Sequence, residues 1–156
     1  MTKKRILSID GGGIKGIVPA VVLFHLEKHL KRLSNNPNSR IHDYFDLFAG
    51  ASTGAIIIAG LLTPDSHNQP KYTTKEIIDL YIENGHIIFN ASLFQEIKSV
   101  SGLVNVKYDP EGLESVFNKY FGNNQLKDLL KPTLIPVYDL SRGKNYFFRQ
   151  QKAQTS

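Results

Sequence analysis

The chain has 156 residues, close to the length of one domain at about 150 residues each, and its 41% apolar and 21% charged content is that of an ordinary globular protein. It has no cysteine, which removes disulfide scaffolds, thiol nucleophiles and cysteine-ligated zinc or iron–sulfur centres. Basic residues exceed acidic ones by 19 − 14 = 5; the surplus is that of solvated charged faces or of a surface suited to an anionic membrane, whereas no zinc-finger spacing, RNA-binding aromatic motif or basic zipper supports nucleic acid.

Arg5–Ile9 reads as a short buried strand that stops at Asp10-Gly11-Gly12-Gly13. Its apolar part spans four residues, too few for a secretion signal core of roughly seven. From Lys15 to Leu33 apolar residues recur at three- and four-residue steps, a helical pattern that tolerates Pro19 near its first turn. Ser34–Ser39 is a turn cluster, and Tyr44–Ala49 reads as a second buried strand. The nearly apolar stretch Ala49–Leu62 has 14 residues, short of the 20 or so that span a membrane. The chain is therefore expected to be cytoplasmic, with any membrane contact peripheral.

After the second strand come Gly50-Ala51-Ser52-Thr53-Gly54 and an apolar helix, Ala55–Leu62. Thr63–Tyr72 is a polar loop. Thr73 and Glu76 have capping-box spacing and open a helix expected to run to about Gly85. A stripe of Phe89, Leu93, Ile97, Val100 and Val104, with Phe94 beside it, suits either core packing or an apolar flap over an acyl channel. Asp109-Pro110-Glu111 starts a further helix that ends at Gly122. Pro132–Tyr138 and Asn145–Arg149 read as strands joined by Ser141-Arg142-Gly143. Strands alternating with helices predict an α/β fold with a largely parallel sheet.

Two glycine motifs follow strands and precede helices. Gly11-Gly12-Gly13-Ile14-Lys15-Gly16 fits G-x-G-x-x-G, whose amides can cradle a pyrophosphate, a nucleotide phosphate or the oxyanion of a reacting ester. A dinucleotide site wants a carboxylate at the end of the second strand, where Ala49-Gly50-Ala51-Ser52 stands. A phosphate loop wants Gly-Lys-Ser/Thr, and Lys15 precedes Gly16. Gly12 is expected at a crowded, positive-φ turn.

The second motif fits G-x-S-x-G, the nucleophile elbow, in which a sharp strand-to-helix turn lifts the serine hydroxyl above the sheet. A hydrolytic triad is not evident. Asp79 and His86 lie seven apart, about 10.5 Å along a helix, and His67 with Asp65 reads as a solvated loop pair.

At these residues the sequence resembles the patatin-like phospholipases, a family of lipid acyl hydrolases. The likeness is carried by Asp10–Gly16, by Phe45–Gly54, by Lys107–Leu113, by Tyr120-Phe121-Gly122 and by Pro136–Leu140, and it extends from about Ile6 to Phe148. It implies a three-layer fold with a largely parallel central sheet flanked by helices. It also implies a Ser–Asp dyad, with Ser52 as nucleophile in an elbow of Gly50, Ala51, Thr53 and Gly54. Amides of Gly11, Gly12 and Gly13 would hold the oxyanion, supported by Lys15 and Gly16. No cofactor or metal is implied, and the partner is a lipid acyl ester.

The family's dyad aspartate sits in an Asp-Gly-Gly or Asp-Gly-Ala motif downstream of the elbow, and the sole Asp-Gly pair here is Asp10-Gly11. Residues 1–156 are accordingly expected to be a single domain forming the N-terminal part of a truncated catalytic domain, inactive alone. The alternative is a catalytically inactive module of the same fold that binds lipid or fatty acid.

Overall fold

A computed structural model describes residues 3–89 and 110–155. They form a mixed α/β fold around a four-stranded sheet of order β1-β2-β3-β4, with β1 Ile6–Ile9, β2 Leu47–Gly50, β3 Thr133–Asp139 and β4 Lys144–Arg149. β1 pairs in parallel with β2 from Ile6↔Leu47 to Ile9↔Gly50, and β2 pairs in parallel with β3. β3 and β4 form an antiparallel hairpin from Leu134↔Arg149 to Asp139↔Lys144. Five helices accompany the sheet among the described residues: α1 Ile17–Leu33, α2 Thr53–Leu62, α3 Thr74–Ile88, α4 Pro110–Phe121 and α5 Gln150–Ala153. None is long and apolar enough to cross a membrane.

Three boundaries differ from the sequence expectations. The second strand starts at Leu47, not Tyr44, because Tyr44 still belongs to the preceding turn, its N–H bonded to the Ile41 carbonyl at 3.1 Å. Asp43 accepts the Arg40 N–H at 2.8 Å and closes a 3-10 turn over Ile41–Asp43, and Asp46 accepts the Arg5 N–H at 2.8 Å just before the ladder begins. That last bond is the chief cause holding the Asp46 carboxyl below its ordinary value. The first helix does not start at Lys15: Gly13–Gly16 form a 3-10 turn, with Lys15 N–H bonded to the Gly12 carbonyl at 3.2 Å, and α1 follows.

The third difference is α3, which passes through Gly85 to Ile88. Glycine costs a helix roughly 1 kcal/mol relative to alanine, but here its bare face is filled by Ile14, whose Cδ1 lies 2.5 Å from where a Cβ would be. Packing against the neighbouring segment outweighs the local preference. At its start α3 has the expected capping box: Thr73 N–H donates to Glu76 Oε2 at 2.7 Å and Glu76 N–H to Thr73 Oγ1 at 3.2 Å. Of the apolar stripe after Gly85, all but Phe89 falls outside the described residues.

α2 is apolar around its whole circumference because Thr53, Gly54, Ile57, Ile58, Gly60, Leu61 and Leu62 are all buried. With Phe48 of β2 and Tyr81 of α3 they make up much of the core. Beside it lies one buried carboxylate. Glu27 of α1 accepts from the Ile41 N–H at 3.3 Å and the Thr74 hydroxyl at 3.2 Å, and it pairs with Lys31 at 3.3 Å and Arg40 at 3.7 Å. It thus joins α1, the 41–43 turn and the start of α3. Glu27→Ala leaves a buried amide and hydroxyl without that acceptor and is expected to cost about 3 kcal/mol of unfolding free energy, read as a lower urea midpoint at unchanged slope.

Candidate active site

β1 and β2 run side by side in the same direction, so their C-terminal ends open at one edge of the sheet. Each glycine motif follows one of those ends, and the fold brings the two together across some forty residues of sequence. A Cβ built on Gly11 would stand 3.0 Å from Ser52 Cβ and 3.2 Å from the Ala51 carbonyl oxygen. The loop lies directly against the serine turn.

Ser52 has φ 51° and ψ −123°, the torsions of the first central residue of a type II′ turn. The Gly54 N–H closes that turn on the Ala51 carbonyl at 2.9 Å. Such a backbone costs a residue with a side chain about 1–3 kcal/mol and persists only where its surroundings fix it. On one side Ala51 N–H donates to the Ile9 carbonyl at 3.2 Å, tying the turn to the end of β1. On the other, Gly54 packs so tightly on β1 that a Cβ there would lie 2.2 Å from the Ile9 carbonyl oxygen. Gly50 is pressed against Gly54 in the same way, its built Cβ 2.6 Å from the Gly54 carbonyl. Ser52 is exposed while Thr53 and Gly54 behind it are buried, and its hydroxyl makes no capping bond to α2. A free hydroxyl therefore stands at a helix N-terminus, where peptide dipoles favour negative charge.

The facing loop offers donors. Among the described residues, the amides of Gly11, Gly12 and Gly13 donate to no backbone or side-chain acceptor. Gly12 differs from expectation: its φ is −176°, open to any residue, and a Cβ there would meet nothing closer than Lys15 Cβ at 3.6 Å. The left-handed position of this loop is Gly13, at φ 57°. Gly11, Gly12, Gly13, Ile14, Lys15, Ser52 and Phe89 line a cavity of about 420 Å³. A second groove, about 560 Å³, shares Gly11, Gly12 and Lys15 with it and runs between β1 and α1 past Leu7, Val18 and Val22.

Among the described residues, no carboxylate or imidazole lines the Ser52 cavity. Asp79 pairs with Lys75 at 2.7 Å, and the Asp65 carboxylate accepts the His67 and Gln69 N–H groups at 2.8 and 2.9 Å. Those bonds, Gln69's first, hold Asp65 below its ordinary value. His86 lies in the last turn of α3, away from the cavity lining.

Sequence reasoning missed Tyr81. It lies on the buried face of α3 with Ile77, Leu80 and Asn84, where its only signal was a hydroxyl within an apolar stripe. That hydroxyl donates to the Thr53 carbonyl at 3.1 Å and makes a short hydrogen bond with Thr53 Oγ1. Burial raises the phenol above its ordinary value, an effect opposed by the Thr53 bond, so Tyr81 remains a donor at neutral pH.

Compared with known proteins, residues 7–155 match the family profile described as Patatin-like phospholipase. The chain is 36% identical over 148 residues to Patatin-like protein 4 of Arabidopsis thaliana, covering 95% of this chain and 37% of that protein. It is 36% identical over 151 residues to Patatin-17 of Solanum cardiophyllum and 35% identical over 151 residues to Patatin group M-3 of Solanum tuberosum, in both cases covering 97% of this chain and 37% of the relative. It thus spans a little over a third of the length of these curated relatives.

The glycines of the two motifs should respond differently to a single added methyl. Gly54→Ala, which drives a carbon into the Ile9 carbonyl, is expected to cost about 3 kcal/mol. Gly12→Ala, with open space and an unrestricted φ, should lie within about 0.5 kcal/mol of the parent. Thermal melts of the two variants side by side measure the contrast.

Proposed function

The chain belongs to the patatin-like phospholipase family, and from that premise we propose that it carries the nucleophile and oxyanion machinery of a lipid acyl hydrolase. The observation that carries this reading is Ser52 itself: exposed, at φ 51°, with an uncommitted hydroxyl facing a loop of undonated amides. Strain of this kind concentrates where a side chain has to be presented for chemistry.

On this reading Ser52 Oγ attacks the ester carbonyl, the carbonyl oxygen takes up negative charge, and amides of Gly11, Gly12 and Gly13 bond to it. Such preorganised donors are worth about 3 kcal/mol each in the transition state. Collapse expels the alcohol and leaves an acyl group on Ser52, which water then removes. Ser52 needs a base for its proton, and water needs one in the second step. We assign that role to the aspartate of a Ser–Asp dyad, a group that none of the described residues lining the cavity supplies. Lys15, at the junction of cavity and groove, is placed to attract an anionic part of a lipid. The apolar groove beside it suits an acyl chain, and the surplus of five positive charges suits an anionic membrane surface.

A fluorophosphonate tests the serine directly, because its adduct is read by mass on one peptide and requires no turnover. Adduct on Ser52, absent from Ser52→Ala, is the expected result. Residues 1–156 alone should form that adduct slowly yet sustain no hydrolysis of a short-chain ester, since base assistance is worth a factor of about 100 to 10,000. A chain that binds fatty acid yet never labels at Ser52 would instead be the inactive lipid-binding module. Adduct formed as fast on Ser52→Ala as on the unsubstituted chain would overturn the assignment outright.

A further inference from the structure

We propose that Tyr81 is a positioning residue for this site, its hydroxyl bond to Thr53 holding the glycine loop at its working distance from Ser52. The proposal rests on the reading of Ser52 and the loop given above. It starts from a three-way contact. Thr53, next to Ser52 in sequence and fully buried, receives the Tyr81 hydroxyl on its carbonyl at 3.1 Å and again on its own hydroxyl. With the phenol proton directed at the carbonyl, the Thr53 hydroxyl is the donor of the second bond. The third member is Gly16, the last residue of the turn that ends the loop. A Cβ there would fall 2.3 Å from Thr53 Oγ1 and 2.8 Å from the Tyr81 hydroxyl oxygen. The two hydroxyls therefore occupy the space that a side chain at position 16 would take.

One turn further along the same face of α3, Gly85 receives Ile14 of the loop. α3 thus touches the loop at Gly16 through Tyr81 and at Ile14 through Gly85, and touches the elbow at Thr53. The Tyr81 ring also stacks on Phe89, with centroids 5.5 Å apart and planes at 25°, and Phe89 lines the Ser52 cavity. Neither Tyr81 nor Thr53 lines that cavity, so both act through the backbone they hold. Oxyanion stabilisation depends on donors set in place before reaction, and a loop rich in glycine has little stiffness of its own. The stiffness comes from the neighbour that clamps it.

Tyr81→Phe keeps the ring and removes both bonds, whereas Thr53→Val removes the bond between the two hydroxyls and leaves the one to the Thr53 carbonyl. Exchange of the hydrogen-bonded amides of Lys15 and Gly54 is expected to quicken about tenfold in Thr53→Val, the loss of one net hydrogen bond, and at least as much in Tyr81→Phe, while β3, β4 and α1 exchange as before. Thr53→Ser, which keeps the hydroxyl, should restore the parent pattern, and the double variant Tyr81→Phe/Thr53→Val should exchange no faster than Tyr81→Phe alone. Fluorophosphonate labelling at Ser52 should slow about tenfold in Tyr81→Phe. Unchanged exchange at Lys15 and Gly54 would overturn the proposal. So would equal acceleration across the whole core, which is what a merely structural tyrosine gives. Labelling that persists in Ser52→Ala would fail the reading of Ser52 alone, since amide exchange tests the clamp without any chemistry at the serine.

Discussion

The N-terminus of α2 lies so close to the end of β1 that position 54 has no room for a carbon beyond Cα. The Ile9 carbonyl oxygen occupies that space, and the Ala51 N–H bonds to the same oxygen. This contact decides how sharply the chain turns between β2 and α2, and the sharp turn forces Ser52 to a positive φ. Because β1 continues from Ile9 directly into the glycine loop, the atom that receives the elbow is two residues from the wall of the cavity facing it. One close approach therefore fixes both halves of the candidate site.

Around it the fold supplies reinforcement at increasing distance. Thr53 and Tyr81 tie the elbow to α3, Gly85 seats the loop on the same helix, and the Glu27 cluster anchors the start of α3 to α1 and to the turn before β2. Each link joins segments far apart in sequence; the Thr53–Tyr81 and Glu27 links use buried polar groups, and Gly85 receives the apolar side chain of Ile14. Buried polar clusters of this kind restrict a core to one arrangement more than they raise its stability. An arrangement held that tightly is what a loop of three consecutive glycines needs to present its amides in a fixed direction.

Much of this was legible in the sequence, for a physical reason. The strands, the helices and the capping box of α3 are set by local periodicity and by side chains within four residues of one another. The two glycine motifs could be read in the same way, since each is a contiguous turn between a strand and a helix. The departures share a different cause. Tyr44 and Phe45 have the apolar character of a strand, yet the Tyr44 N–H closes the turn over Ile41–Asp43 instead. Gly85 has the look of a helix end, yet Ile14, seventy residues away, fills the gap beside it. Gly12 appears as constrained as its neighbours, and only the torsions distinguish it from Gly13. Tyr81 gave least warning, because a hydroxyl on a buried helix face reveals nothing until its partner is known.

The torsion at Ser52 sets fitness for folding against fitness for chemistry at a single codon. Glycine takes a left-handed backbone without penalty, so at this position it would be the more comfortable occupant by about 1 kcal/mol or more. A drift toward stability would convert serine to glycine, and the product would fold at least as well while lacking the hydroxyl. Any redesign of this chain guided by melting temperature alone would take the same step, selecting at residue 52 the substitution that strips the candidate site of its hydroxyl.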